Sequence, residues 1–173
     1  MDTQPGDIVL THGHSLIHKG IRFAQNIRFR GERRRFAYWN HAAVVVGKHG
    51  EIIEAQARYG VRKASLAVEY ADLHYDVVDV KQTQADRDEI VAFAESCLGQ
   101  DYGFLTIISL MMWTSFGGKF IFGLDGTEIC SGLAAQAQVR GTANFPRMPS
   151  MMMPADLAEY YEVERAPLSR SDP

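Results

Sequence analysis

Thr127-Glu128-Ile129-Cys130-Ser131-Gly132-Leu133-Ala134-Ala135-Gln136 is the stretch from which the rest of the chain is read. Leu133, Ala134 and Ala137 recur at helical spacing, and Gly141 is placed to stop the helix, so Cys130 stands at a helix start. A thiol there meets unpaired backbone N–H groups and the positive end of the helix dipole, and both favour thiolate. The same N–H groups, with Ser131 next in line, suit the oxyanion formed when a thiolate attacks a carbonyl. The other reading is a buried Cys packing as a small hydrophobe. Both stand on this stretch alone.

Upstream of it, Thr83 caps a helix with Asp86 at the capping-box position, Ile90, Val91, Phe93, Ala94, Cys97 and Leu98 on its apolar face, and Gly99 at its end. Cys97 on that face reads as packing. Tyr102 to Trp113 suggests a further helix, and Phe104 to Leu124 is apolar enough to raise the question of a membrane span. Lys119 and the pair Gly117-Gly118 favour buried core or interfacial insertion instead. Downstream, Pro154 opens a short helix through Tyr160, and Tyr161 to Arg165 reads as a last strand.

The first 80 residues have a different character. Pro5-Gly6-Asp7 turns the chain into the strand Ile8-Val9-Leu10. Ser15 caps a helix with Leu16, Ile17, Ile21 and Ala24 on one face. Ala42 to Val46 is a buried strand, Ile52 to Ala55 its hairpin partner, and Ser65 to Val68 and Tyr75 to Val80 are further strands. Strands first and helices later give an α+β class, with an antiparallel sheet from the N-terminal half against C-terminal helices.

A net charge of −3 argues against a general nucleic-acid binder. Two cysteines, Cys97 and Cys130, make neither a disulfide framework nor a zinc ligand pair. Met1 to Gly6 is polar and does not resemble a signal peptide, so a cytoplasmic, reducing setting is expected. Residues 1–166 read as one domain and 167–173 as a polar tail.

A nucleophilic Cys needs a base, and the base an orienting partner. His41 opens a buried strand and Glu54 lies on its hairpin partner, where an unpaired carboxylate costs several kcal/mol and an imidazolium is its natural companion. Alternatively, both sit half-solvated at strand ends and are unrelated. His12-Gly13-His14 is a competing pair suited to metal, but further ligands are not evident. Arg28 to Arg35 carries five arginines against one glutamate; it reads as a solvated loop or as a contact for a phosphate, a carboxylate or a membrane surface.

These residues also resemble a family. Pro5-Gly6-Asp7-Ile8-Val9-Leu10, Trp39-Asn40-His41-Ala42-Ala43-Val44-Val45-Val46-Gly47 and Ile52-Ile53-Glu54-Ala55 resemble the β-half of the NlpC-type papain-like hydrolases. Leu98-Gly99-Gln100-Asp101-Tyr102-Gly103 and Cys130-Ser131-Gly132-Leu133 are similar to the other half. Here the Cys half comes second, which resembles the circularly permuted branch that includes the YiiX-like amidases and, more distantly, lecithin retinol acyltransferase. Gly60-Val61 and Met153-Pro154-Ala155-Asp156-Leu157 fit that pattern too.

The resemblance implies Cys130 as nucleophile, His41 as general base and then acid, Glu54 as the group that orients His41, and Tyr102 beside the thiol near the oxyanion. Ile129 departs from the usual acidic residue before the Cys, and Phe104 to Leu124 separates Tyr102 from Cys130. The implied activity is a cysteine amidase, peptidase or acyltransferase acting on a small cell-wall peptide or a lipid-like acyl amide or ester, without metal or organic cofactor. A peripheral membrane or assembly contact is expected through Phe104–Leu124. The rival is a non-catalytic structural or binding module that keeps the fold.

Overall fold

The computed structural model describes residues 3–102, 127–128 and 130–164. Its centre is a five-stranded antiparallel sheet built from β1 (Ile8–His12), β2 (His41–Val45), β3 (Glu51–Gln56), β4 (Gly60–Ser65) and β5 (His74–Val78), in the order β4-β3-β2-β1-β5. The expected sheet of the N-terminal half is therefore present, within a mixed α and β architecture.

Strand alternation gives the sheet two apolar faces. Ile8, Leu10, Ala42, Val44, Ile53 and Ala55 lie in the larger cluster with Ile90, Leu133 and Leu157. Val9, Ala43, Val45 and Ile52 lie in a smaller one with Leu66 and Tyr70. Both faces are covered, which is why Ala42 to Val45 reads as an unbroken apolar run.

The strand expected over Ser65–Val68 is corrected: β4 lies earlier, and Leu66–Glu69 forms the helical turn α2. Tyr70 N–H donates to the Leu66 carbonyl, and this one-turn spacing brings Leu66 and Tyr70 together over the second face. Gly60, at φ +67°, makes the β3–β4 reversal, and a Cβ there would stand 2.4 Å from the Gln100 carbonyl oxygen. That carbonyl accepts from Val61 N–H, so the hairpin end is tied to the chain just after the helix Gln84–Ser96.

Helix α1 (Leu16–Arg28) is capped by Ser15, whose hydroxyl accepts from His18 N–H. Of its expected apolar face, Ile21 and Ala24 are buried, whereas Leu16 is 85% exposed and is not core. A 3-10 helix (Gly31–Tyr38) follows and returns the chain to β2. Helix α3 (Gln84–Ser96) has the expected capping box of Thr83 and Asp86, and Cys97 is buried at its end. The short strands β6 (Asp101–Tyr102) and β7 (Thr127–Glu128) pair in parallel and lead into α4 (Cys130–Arg140), which packs on α3 and β2. A 3-10 turn (Pro149–Met151) and α5 (Pro154–Tyr160), with Pro154 at its first position, complete the described chain.

Tyr161–Glu164 forms no strand, contrary to expectation; Val163 instead gives its carbonyl to Trp39 Nε1–H. The arginine-rich segment is largely tied down rather than loose. Arg28 pairs with Asp156, Arg33 with Glu159 and Arg35 with Glu164, all at or beyond α5. Gln25 adds a buried lock, donating to the Trp39 carbonyl and accepting from Ala155 N–H. The helix expected over Tyr102–Trp113, the Phe104–Leu124 insertion and the tail 167–173 lie outside the described residues. No helix among the described residues is long and apolar enough to cross a membrane.

Candidate active site

Antiparallel pairing sets Ala43 opposite Glu54, and period-two alternation puts His41 on the same face as Ala43. The two polar side chains expected on neighbouring strands therefore meet: His41 Nε2 donates to Glu54 Oε2 at 2.9 Å. Glu54 is fully buried and His41 is 4% exposed, so neither is a half-solvated strand-end residue. Cys130, the first residue of α4, brings its sulfur into a hydrogen bond with the imidazole. With Nε2 given to Glu54, Nδ1 is the nitrogen that faces the thiol. Backbone N–H groups of Ala42 and Ser131 also donate to the sulfur.

Electrostatics follow from these contacts. Burial opposes a charge on either member of the pair. The Cys130 charge and hydrogen bond, followed by those of Glu54, overcome it and raise the His41 pKa above its ordinary range. The charge and hydrogen bond of His41, then the two backbone N–H groups, bring the Cys130 thiol below its ordinary range. The favoured form is a thiolate–imidazolium pair. Burial would push the Glu54 carboxyl up, but His41, Tyr70 and Arg62 hold it down at about 2.

Two of those supports, Tyr70 and Arg62, are not among the site residues expected from the sequence. Arg62 stands directly opposite Glu54 in the β3–β4 register and donates to Oε1 from Nε (3.1 Å) and Nη2 (2.8 Å). Its Nη2 also reaches Glu69 at 2.7 Å. Tyr70 donates to Glu54 Oε2 at 2.6 Å, and burial together with the Glu54 charge pushes its phenol well above the usual range, so it remains a donor. Arg62 carries a readable signal, a cross-strand Glu–Arg pair, once the hairpin register is placed correctly. Tyr70 has no local signal, because it arrives from a turn after β4.

A third unforeseen neighbour is His18, whose ring meets the His41 ring edge-on at 5.6 Å. Gly13 makes room for it: a Cβ there would stand 2.3 Å from His18 Nδ1. Buried Asn40 fixes Gly13 by accepting from its N–H and donating to its carbonyl. Burial first, then the neighbouring His41, lowers the His18 pKa to about 4, so its ring is neutral at pH 7. A cleft of about 350 Å³ opens beside these rings, lined by Ser15, Ile17, His18, His41, Gln56 and Arg58 among others.

The remaining expected residues fall as follows. The hydroxyl of Ser131 is buried and donates to the Met152 carbonyl, so what Ser131 offers the sulfur is its backbone N–H. Tyr102 pairs in register with Glu128, two residues before Cys130, but its side chain, like Ile129, is outside the described set. His12 does not form a metal pair with His14. Its Nδ1 donates to the Tyr38 carbonyl at 2.7 Å and its Nε2 accepts from Arg22 Nη1 at 3.1 Å. Those partners fix a neutral imidazole, since a carbonyl only accepts and a guanidinium only donates. Among the described residues, no cluster of three or more His, Cys, Asp or Glu is arranged to hold a metal ion.

No protein-family model matches the chain, and no curated protein does. Among solved structures, the metalloprotein YiiX of Escherichia coli O157:H7 matches with a TM-score of 0.59 at 18% identity, over 82% of this chain and 68% of that one. The likeness is one of fold.

Proposed function

We propose that this protein is a cysteine-dependent hydrolase or acyltransferase that works through a covalent acyl-enzyme on a circularly permuted papain-like fold of the NlpC type. The observation that carries the reading is the hydrogen-bonded series from the Cys130 thiol at the start of α4, through His41, to buried Glu54. The fold likeness to YiiX and the order of the two halves support it. That neighbour is described as a metalloprotein. Here the imidazole of His12, the ring best placed for a metal pair, has cationic Arg22 on its open nitrogen, which does not suit a cation.

In the proposed reaction the thiolate attacks an amide or ester carbonyl, forming a C–S bond and a tetrahedral oxyanion. His41 gives its proton to the leaving nitrogen or oxygen as the old bond breaks. Water or another acceptor then attacks the thioester, His41 takes its proton, and the C–S bond breaks to restore the thiolate. Glu54, held by Tyr70 and Arg62, stabilises the imidazolium and fixes which nitrogen faces the sulfur. Small wall peptides and lipid-like acyl amides or esters are the two substrate classes proposed for the cleft beside His18.

The test is mass spectrometry after reaction with an electrophilic acyl probe, beside assays on muropeptides and on long-chain acyl amides. The probe is expected on Cys130, whose thiol His41 activates, and not on Cys97, and its attachment should be largely lost in His41→Ala. Cys130→Ala and His41→Ala should each remove nearly all turnover, and the double variant little more. Equal labelling of both thiols would falsify the assignment.

A further inference from the structure

We propose that the cleft between the start of β1's exit loop, α1 and the 3-10 helix is a second binding site, for a phosphate-bearing small molecule or headgroup. Its volume is about 640 Å³, and His12, His14, Arg22, Arg34, Arg35 and Tyr38 line it. No carboxylate is among its described lining residues. The site goes beyond the thiol chemistry and does not depend on it.

The charge distribution distinguishes this cleft from an ordinary solvated surface. The other arginines of the segment are committed: Arg28 and Arg33 have bidentate carboxylate partners on α5, and Arg30 donates to the Ile27 carbonyl. Arg35 gives Nε to Glu164. Among the described residues Arg34 has no carboxylate partner, and Arg22 is hydrogen-bonded to the imidazole of His12. Two arginines without a carboxylate partner among the described residues thus line one cavity.

The second observation is the way Arg22 is held. His12 is 6% exposed, lies flat on the Tyr38 ring at 4.1 Å, and is fixed as a neutral acceptor by its bond to the Tyr38 carbonyl. Its lone pair holds Arg22 Nη1 at 3.1 Å and leaves the other guanidinium N–H groups for a ligand. A buried, tautomer-fixed imidazole whose exposed work is to orient an arginine is a binding device. Two guanidinium forks suit the several oxygens of a phosphate better than a single carboxylate, which one fork satisfies. The cavity is also larger than a bare anion needs and is of the size that holds a small organic ligand.

The loop His12–Ser15 separates this cleft from the one beside His41, and His14 marks its edge at 5.2 Å from the His12 ring. The two clefts therefore flank the beginning of α1. A ligand held by its phosphate at Arg22 and Arg34 would lie next to the loop that leads into the first turn of α1, where His18 stands.

The experiment is calorimetric titration of the full chain with inorganic phosphate, glycerol phosphate and acetate, and co-sedimentation with phosphatidylcholine vesicles with and without phosphatidic acid. Wild type, Arg22→Gln, Arg34→Gln, the double variant and Cys130→Ala are compared, with thermal unfolding to confirm that each is folded. Each Arg→Gln change is expected to weaken phosphate binding about tenfold, as loss of a charge-assisted hydrogen bond does. Cys130→Ala should bind as wild type does, so a failure of the thiol chemistry would not touch this result. Arginine-dependent binding of the soluble phosphates identifies a free phosphate ester as the ligand. Arginine-dependent sedimentation with phosphatidic acid alone identifies a lipid headgroup. Acetate binding as tightly as phosphate, or the same binding by wild type and the folded double variant in every arm, overturns the proposal.

Discussion

A buried thiol beside a buried imidazole can hold one shared proton on either atom, and their other neighbours decide which. At Cys130 the sulfur takes two backbone N–H bonds, and at His41 the far nitrogen meets a carboxylate held ionised by Arg62 and Tyr70. Both sets favour the proton on His41. The reactive pair is then bounded below by the lowered Cys130 pKa and above by the raised His41 pKa. Alkylation of Cys130 against pH should reach half its maximal rate below the ~8.5 of a free thiol, and His41→Ala should move that midpoint upward. An unchanged midpoint in the variant would place the cause elsewhere. Tyr70→Phe removes one donor to a charged oxygen without changing shape, so it should cost about 1.5–3 kcal/mol in urea unfolding and raise the Glu54 pKa. Cys130, His41 and Glu54 were legible in the sequence because a polar group inside an apolar strand, or at a helix mouth, contradicts its surroundings. Tyr70 and Arg62 were not, because their polarity is ordinary for a surface and only the tertiary register buries their partner.

At the scale of elements, the turn before β1 is where three parts of the chain are joined. Asp7 and Arg87 are both buried, and Arg87 Nη1 reaches Asp7 Oδ1 at 2.7 Å and the Pro5 carbonyl at 2.9 Å. Gln138 on α4 donates to the Gly6 carbonyl at 2.7 Å, so the helix that begins with Cys130 is fastened to the same turn. Removing one member of a buried pair strands the other charge. Arg87→Ala should therefore destabilise the fold by about 3–5 kcal/mol in denaturant unfolding, far more than Lys63→Ala, whose partner Glu95 is half-exposed. Similar losses in the two variants would show the turn is not the joint described. The Pro-Gly-Asp signal marked this turn, and apolar runs and caps marked β1, β2, β3, α3 and α4. What the sequence hid was the displaced β4 and the turn α2, because one helical turn of Leu-Ala-Val-Glu has the same composition as a short strand.

For the molecule as a whole, the candidate site links folding stability to pH, and the sign differs from group to group. Formation of the thiolate–imidazolium pair only moves a proton from Cys130 to His41, so at neutral pH the folded and unfolded chains bind the same number of protons there, and the pair adds little slope. Glu54 is different: its folded pKa of about 2 lies below the reference 4.5, so it contributes stability above pH 4.5 that is lost as the pH falls toward 2. His18 acts in the same direction at higher pH. Its folded pKa of about 4 lies below 6.5, so between these values the unfolded chain takes up a proton that the folded chain refuses, and stability falls on acidification. Burial, and then the facing charge of His41, cause the refusal, and the Glu54 carboxylate opposes them. The slope from His18 alone is at most about 1.4 kcal/mol per pH unit, one proton's worth. Urea unfolding of wild type and His18→Asn at pH 7 and pH 5 isolates that term, because the other carboxylates and imidazoles are common to both. Wild type should lose more stability than the variant between the two pH values. Equal losses, or a larger loss in His18→Asn, would mean that His18 is not held neutral against His41 and that the cleft beside the pair is wetter than its geometry indicates.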